Sequence, residues 1–172
     1  MAKTSNLREF QEAILAKLKD AASRVGAESS SRLGVLVGTK RFLINLNEVK
    51  EVLPVPQILS VPLTKPWFLG TTNVRGNLYN VSDLAQFLDM PPTAKSVNNR
   101  IMLLSTETTA QVALLVDGLV GLRNIQEMQV ESDNADSKQL FSKQRLKDAD
   151  GNEWFEFDSE GLVQDKSFIQ PI

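Results

Sequence analysis

The chain has 172 residues with 19 basic and 21 acidic side chains, and its net charge of −2 gives no long-range field to hold a nucleic acid or an anionic membrane. Its 42% hydrophobic and 23% charged residues fit a globular protein, as one domain or as two small barrels sharing a core. Cysteine and histidine are absent, which excludes disulfides, thiolate catalysis and histidine bases or metal ligands. We therefore expect no enzyme and no catalytic, cofactor, metal or nucleic-acid site.

The first residues lack the pattern of a secretory signal, because no basic patch leads into an apolar run. No stretch approaches the roughly 20 apolar residues that a transmembrane helix requires. We therefore expect a cytoplasmic protein with no direct membrane insertion.

An amphipathic helix is predicted near the N-terminus, from Leu7 to Val25, where apolar residues recur at steps of three and four. Asn6 provides an N-cap, and Gly26 with the serines that follow it ends the helix. The apolar face packs either on the chain's own domain or on a partner, and the sequence leaves both open. Residues 1–30 are assigned to this N-terminal helical extension.

Beyond residue 30 the pattern changes to short apolar runs rich in β-branched residues and separated by turn residues, which is typical of small β-barrels. Hairpins are predicted for residues 33–37 with 41–44 and for residues 101–104 with 112–116. Further strands are predicted for residues 77–81 and 154–157.

Several connecting segments are interpreted from their spacing and turn residues. Apolar residues at every third position indicate a short helical turn in Asn45–Val52. A helix is predicted for Ser82–Leu88 with Ser82 as its cap, and the polar stretch Gln126–Lys143 is predicted to be a mobile surface loop. The pair Asp150-Gly151 indicates a type I′ turn, and Asp158 is predicted to cap the last short helix.

The carboxylates that could pair for catalysis all lie beside turns or at helix starts, where their oxygens satisfy free backbone N–H groups. They are Asp83, Asp89, Asp117, Asp148, Asp150 and Asp158. Local capping is the better interpretation of each, and a small hydrolase using Asp83 or Asp117 stays open as a rival. The acidic residues around Asp133 lack the spacing of a calcium loop, and no glycine-rich phosphate loop occurs.

The turn-forming segment 70–76 holds a charged residue, Arg75, directly before an apolar strand. One interpretation is a tight turn with an exposed arginine. Arginine also carries a rigid fork of donors that suits a carboxylate, either within the chain or across an interface. Glu51 is a candidate partner, although the sequence alone does not place the two side chains together.

Four segments together resemble the CheW-like coupling proteins of bacterial chemosensory systems. They are residues 48–53 (EVKEVL), 68–76 (FLGTTNVRG), 81–84 (VSDL) and 114–122 (LLVDGLVGL). Each segment alone is common, but the combination is specific, and the resemblance extends from about Arg32 to about Gln164. Residues 31–168 are accordingly identified as a CheW-like domain with two intertwined barrel subdomains.

The resemblance implies a mainly β fold of two five-stranded SH3-like β-barrels around a shared hydrophobic core, with the N-terminal amphipathic helix added outside it. It also implies a non-enzymatic adaptor for chemotaxis-type signal transduction. Such a protein bridges the cytoplasmic tip of a methyl-accepting chemoreceptor and the regulatory domain of a CheA-like histidine kinase. It is cytoplasmic and is recruited to membrane-associated receptor arrays.

The resemblance also implies which residues bind the receptor. Position by position, Glu51 and Arg75 match a glutamate and an arginine that pair beside the receptor groove. Asn73 and Gly76 match the turn that presents the arginine. Leu119 and Leu122 match apolar groove positions of the second barrel.

Asn80 and Ser82 depart from the family pattern, which has a proline and an apolar residue there, so the strand before Asp83 is free to pair differently. Arg41-Phe42, Trp67 and the early helix are most similar to PilI-type members, which implies a system linked to type IV pili and twitching motility. The alternative to an adaptor is an SH3- or OB-like nucleic-acid-binding module, which salt-dependent retention on nucleic acid would reveal.

Overall fold

The computed structural model describes Leu15, Lys17 and residues 30–105, 111–131 and 140–172. The strands are β1 (Ser31–Val37), β2 (Lys40–Asn45), β3 (Val49–Pro54), β4 (Phe68–Val74), β5 (Asn77–Asp83), β6 (Arg100–Leu104), β7 (Val112–Val116), β8 (Gly118–Asn124), β9 (Gln129–Glu131), β10 (Ser142–Lys147) and β11 (Glu153–Phe157). Short helices follow β5 and β11: α1 (Leu84–Phe87), α2 (Ser159–Gln164) and α3 (Lys166–Ile169). Turns of 3₁₀ helix span Leu46–Glu48 and Ile125–Glu127.

The strands form two mixed sheets. A six-stranded sheet has the order β8-β1-β2-β11-β10-β9, and a five-stranded sheet has the order β3-β6-β7-β5-β4. Most neighbours are antiparallel, while β2 with β11 and β5 with β7 are parallel. The second sheet is built from consecutive strands of the middle of the chain, and the first combines strands from both ends. The predicted mainly β fold in two units is confirmed, but the first unit has a six-stranded sheet, one strand more than predicted, while the second has the predicted five.

Three buried apolar clusters explain how the two units hold together. The largest takes side chains from both sheets, including Leu33, Val35 and Phe42 from the first and Val52, Met102 and Leu114 from the second. A second cluster lies within the five-stranded unit, around Leu53, Tyr79 and Ile101. A third lies within the six-stranded unit, around Leu43, Leu146 and Trp154. Among the described residues, each unit therefore has its own buried cluster, and the largest cluster is a central core that the two units share.

Most predicted elements are confirmed. The pairs β1–β2 and β6–β7 are antiparallel, although residues 106–110 between β6 and β7 lie outside the described residues. Asp158 accepts the backbone N–H of Gly161 at 3.0 Å and caps α2. Asn80 and Ser82 both pair with β4 on one side and with β7 on the other, and the ladder with β4 is irregular next to Ser82, where Leu69 is an extra residue between the partners of Ser82 and Val81.

Other predictions are wrong. In Asn45–Val52 the helical turn stops at Glu48, and the remainder is strand. The cap of α1 is Asp83 rather than Ser82, and the helix ends at Phe87. The predicted loop Gln126–Lys143 contains β9 and the start of β10, with residues 132–139 outside the described part. Within Asp150-Gly151 the backbone is left-handed at Gly151 alone, with φ +85°, so the turn is not type I′.

The predicted N-terminal helix lies outside the described residues except for Leu15 and Lys17. Both of these residues are helical. Leu15 is 6% exposed and belongs to the central core, whereas Lys17 is exposed.

Candidate functional site

The tip of the β4–β5 hairpin presents Arg75. Val74 pairs with Asn77, so Arg75 and Gly76 form a two-residue loop. Their φ angles of +51° and +85° are those of a type I′ turn, whose twist matches that of the flanking strands. The Asn73 side-chain oxygen accepts the Gly76 N–H at 2.9 Å and secures the loop. The three predicted turn residues are therefore brought together.

Arg75 and Glu51 form a bidentate ion pair. Arg75 Nη1 donates to Glu51 Oε2 at 2.9 Å, and Arg75 Nη2 donates to Glu51 Oε1. The Glu51 side chain is 9% exposed and that of Arg75 is 49% exposed, so the carboxylate lies at the base and the guanidinium reaches the surface. Such forked pairs fix geometry as well as charge. The candidate pairing from the sequence is confirmed as a contact.

A β-bulge explains why Glu51 points toward the hairpin. Val49 and Val52 both belong to the central core, although residues three apart on a regular strand face opposite sides. The register of β3 against β6 shifts between Val49 and Glu51, which adds one residue and reverses the alternation. Glu51 therefore leaves the central-core face and shares the opposite side of β3 with Leu53, which packs in the five-stranded unit.

A second bulge places the apolar residues of β8. Leu119 pairs with Val35 and Gly121 pairs with Gly34, so Val120 is the extra residue. Leu119 and Leu122 both pack against the central core, while Val120 packs against the third cluster. The two predicted leucines thus share one face despite their spacing of three.

An open groove of about 630 Å³ lies between the two units. Its walls come from β1, β3 and β8 and from the segment that leads into β6. The lining residues are Leu15, Leu33, Leu36, Val52, Ala94, Ser96, Asn98, Asn99, Arg100, Asp117, Gly118, Leu119, Val120 and Gly121. Among the predicted residues, Leu119 lines this groove, whereas Leu122 packs against the central core and is not part of the lining. The Glu51–Arg75 pair joins β3 to the tip of the β4–β5 hairpin, and it lies outside the groove lining, on the face of β3 opposite to Val52.

Several groove residues were not singled out in the sequence. Arg100 donates to the carbonyl oxygens of Val97 and Asn99 at 2.9 and 2.7 Å and so supports the rim. Asn99 is 7% exposed and donates to the Ala94 carbonyl at 3.0 Å, but its side-chain oxygen has no hydrogen-bond partner among the described residues. The one signal in the sequence is the polar run at residues 98–100 before an apolar strand.

Asp148 and Asp158 accept backbone N–H groups of their own turns, as predicted, whereas Asp117 accepts from a residue distant in sequence. Asp117 accepts the Gly38 N–H at 2.6 Å. Asp83 accepts the backbone N–H of Thr93 at 2.9 Å, in addition to capping α1. In the described ranges no three His, Cys, Asp or Glu side chains are grouped so that they could hold a metal. Within those same ranges no helix has the length and apolar character needed to cross a membrane.

The tip of the β10–β11 hairpin is organised by one carboxylate. Asp148 accepts the N–H groups of Asp150 and Asn152, each at 2.9 Å, and the indole N–H of Trp154 at 2.9 Å. The bond from the Trp154 indole lowers the pKa of Asp148, against partial burial that would raise it. This turn is held by its own residues.

Two mixed sheets packed across a shared core, with a groove between them, define a mainly β protein of two sheet units. The chain belongs to the CheW-like domain family, whose model matches residues 32–167. The family resemblance of the four sequence segments is therefore confirmed.

The relatives agree with this assignment. Protein PilI of Pseudomonas aeruginosa is 31% identical over 105 residues, which cover 60% of this chain and 57% of that protein. Chemotaxis protein CheV3 of Helicobacter pylori is 22% identical over 103 residues, covering 60% of this chain and 33% of the relative. The matched segments thus span little more than half of one curated relative and a third of the other. The similarity to PilI-type members is confirmed at this level.

The fold also matches a solved structure. The crystal structure of the scaffolding protein TtCheW from Thermoanaerobacter tengcongensis superposes with a TM-score of 0.68 at 18% identity. The match covers 80% of this chain and 89% of that one, and at this identity it concerns the fold alone.

Proposed function

We propose that this chain is a non-enzymatic adaptor that couples the cytoplasmic tip of a methyl-accepting chemoreceptor to the regulatory domain of a CheA-like histidine kinase. Its receptor-binding residues are Glu51, Asn73, Arg75, Gly76, Leu119 and Leu122. Membership of the CheW-like family supports the adaptor role. Residues 31–168 carry this role, and residues 1–30 are an extension.

The observation that carries the proposal is the conformation of Arg75. A non-glycine residue at φ +51° is uncommon, and asparagine or glycine suits the first position of a type I′ turn better. Strained backbone is often retained at functional sites. Here the strain presents a guanidinium that is half-exposed and already oriented by a buried carboxylate. An oriented fork of donors suits recognition of a carboxylate or carbonyl on a partner.

The groove supplies the apolar part of the same recognition. Helix-binding grooves need a few apolar anchors and a small number of oriented polar groups. Leu119 lines the groove together with Leu33 and Val52. Glu51 lies on the opposite face of β3 from Val52, so the ion pair is not part of the groove lining. The apolar groove and the Glu51–Arg75 pair are therefore two separate contact regions of the proposed receptor site.

The similarity to PilI supports a place in a system linked to type IV pili and twitching motility. In that setting the protein is cytoplasmic and is recruited to receptor arrays at the membrane. Both partners are then proteins, and neither nucleic acid nor direct membrane insertion is involved.

The test is a titration of the full chain with two purified fragments from the same organism, the receptor tip and the kinase regulatory domain. Arg75→Glu opposes Glu51 with a like charge and removes the donors, so we expect receptor affinity to fall at least about tenfold. Kinase affinity should not change. Lys147→Glu is the matched control, because Lys147 is exposed on β10 in the other sheet.

Circular dichroism and a denaturant titration establish that each variant is folded. Unchanged receptor affinity in a folded Arg75→Glu protein would remove these residues from the receptor site. Failure of the wild-type chain to bind either fragment would overturn the adaptor role itself.

A further inference from the structure

Leu15 forms part of the wall of the groove between the two units. It precedes β1, is 6% exposed, belongs to the central core and lines the groove with Leu33 and Val52. Lys17, two residues later and also helical, is exposed. The described part of the N-terminal segment thus has one apolar side chain against the groove and one charged side chain in solvent.

The sequence around Leu15 continues the pattern. Between Leu7 and Val25 the apolar residues recur at helical spacing, which predicts one apolar face for the segment. The segment is followed closely by Ser31, where β1 begins, and β1 supplies Leu33 and Leu36 to the groove. A short connection of this kind keeps the effective concentration of the segment at the groove high.

The groove also contains a buried polar atom that a hydrogen-bond donor from a bound segment would stabilise. The Asn99 side-chain oxygen is buried and has no hydrogen-bond partner among the described residues. A buried acceptor without a donor is costly, so a ligand that brings an N–H or O–H group would be favoured. This feature is independent of the position of Leu15.

We propose that the N-terminal segment, residues 7–25, is an intramolecular ligand of the groove, anchored through Leu15. A partner helix that enters the groove must compete with it. The competition rests on the proposed receptor-binding function, but the seating of the segment does not. The segment would act as a built-in competitor that sets the apparent affinity for the partner.

The seating is tested on the full chain without any partner. In amide NMR spectra, Leu15→Ala should shift the resonances of residues 98–100 and 118–121, which line the groove. Lys17→Ala is the matched control, and it should leave those resonances in place. Leu15→Met keeps most of the apolar volume and serves if Leu15→Ala unfolds the domain.

Absence of groove shifts in both Leu15 variants, or equal shifts in the Lys17 control, would overturn the proposal. The competition is tested by titration with the receptor-tip fragment. If the segment fills the groove about nine-tenths of the time, its release raises apparent affinity roughly tenfold. Leu15→Ala should therefore bind more tightly than the wild type.

Equal receptor affinity in the wild-type and Leu15→Ala chains would refute competition. The two proposals fail in different ways. If neither the wild-type chain nor any variant binds the receptor fragment, the adaptor role is overturned. The NMR shifts in the free chain still decide whether the segment lies in the groove.

Discussion

Two hairpin tips in the described part of the chain use a charged side chain in opposite ways. At the β10–β11 tip, Asp148 turns inward and accepts the N–H groups of its own turn and of Trp154. At the β4–β5 tip, the Arg75 side chain leaves the turn and pairs with Glu51 on a different strand. The first arrangement strengthens the turn, whereas the second places a strained residue at the surface.

The difference indicates that the β4–β5 turn has lower local stability than it could have, because it places a charged side chain at the surface. A turn serves its own hydrogen bonding best with Asx residues and glycine, as the Asp148 turn does. In the Arg75 turn the capping contact is supplied by Asn73, and the Arg75 guanidinium pairs with Glu51 on β3. Variants at the two hairpins should therefore separate stability from partner binding.

The largest loss of stability is expected where the β4–β5 hairpin is anchored. Gly70 has φ +134°, and a Cβ there would lie 2.0 Å from the Leu59 carbonyl oxygen. Leu59 is held there by two hydrogen bonds with Thr71, at 2.8 and 2.9 Å, so its backbone cannot easily retreat. Gly70→Ala should cost about 3 kcal/mol or more, from backbone strain and steric overlap together. Urea denaturation measures the loss.

Gly76→Ala is the matched control in the same hairpin. Gly76 is also left-handed, with φ +85°, but a Cβ there would meet no atom within 4 Å. The expected loss is about 1 kcal/mol, from the backbone conformation alone. Equal losses for the two variants would show that the contact with Leu59 does not hold the hairpin.

A smaller loss is expected at the other tip. Asp148→Ala removes an acceptor of several hydrogen bonds from a partly exposed turn, so the free energy of unfolding should fall by about 1–2 kcal/mol at pH 7. The pKa of Asp148 is lowered in the folded state, so its carboxylate stabilises the fold above the unfolded pKa of about 4. That contribution is lost as pH falls through the lowered pKa. The difference between variant and wild type should therefore shrink below about pH 4.

Denaturation midpoints across this pH range measure the effect, with Asp150→Ala at the exposed neighbouring position as the control. Receptor binding should be the same in all three proteins. A constant difference between Asp148→Ala and wild type at every pH would mean that the ionised carboxylate is not what holds the turn.

The smallest change in stability is expected for Arg75→Asn. Asparagine before Gly76 suits a type I′ turn, and this gain offsets part of the lost ion pair, so stability should stay within about 1 kcal/mol of the wild type. Receptor affinity should nevertheless fall about tenfold, as for loss of an oriented charge. Calorimetric titration beside urea denaturation checks both values. A stable variant with full affinity would reduce Arg75 to a structural residue.

The sequence predicted the strands that are apolar on both faces and missed those that are polar. Residues 101–104 and 112–116 are almost continuous apolar runs because both sides of β6 and β7 are buried. In contrast, β9 is a short edge strand with Val130 exposed, and Leu146 is the one buried residue of β10. Both strands lack the alternation of apolar and polar residues on which a strand prediction depends.

The bulges explain the remaining errors. The spacing of three between Leu46, Val49 and Val52 predicts a helical turn. The spacing of the two valines arises instead from the extra residue in β3. The site was predictable only in part for a related reason. The sequence named Arg75 and Glu51, but their contact depends on the bulge, and the groove residues Asn99 and Arg100 carry no distinctive motif.

The order of strands also determines when each part of the molecule can fold. Each strand of the five-stranded sheet pairs with another from the middle of the chain, so this sheet can form early during synthesis. By contrast, β2 pairs with β11, and Phe42 must wait for Phe155 near the C-terminus. Closing such a long loop carries a large entropic cost before any contact repays it. The unit that holds both chain ends should therefore complete last, and a ribosome-stalled chain ending before residue 140 should protect the central strands from proteolysis first.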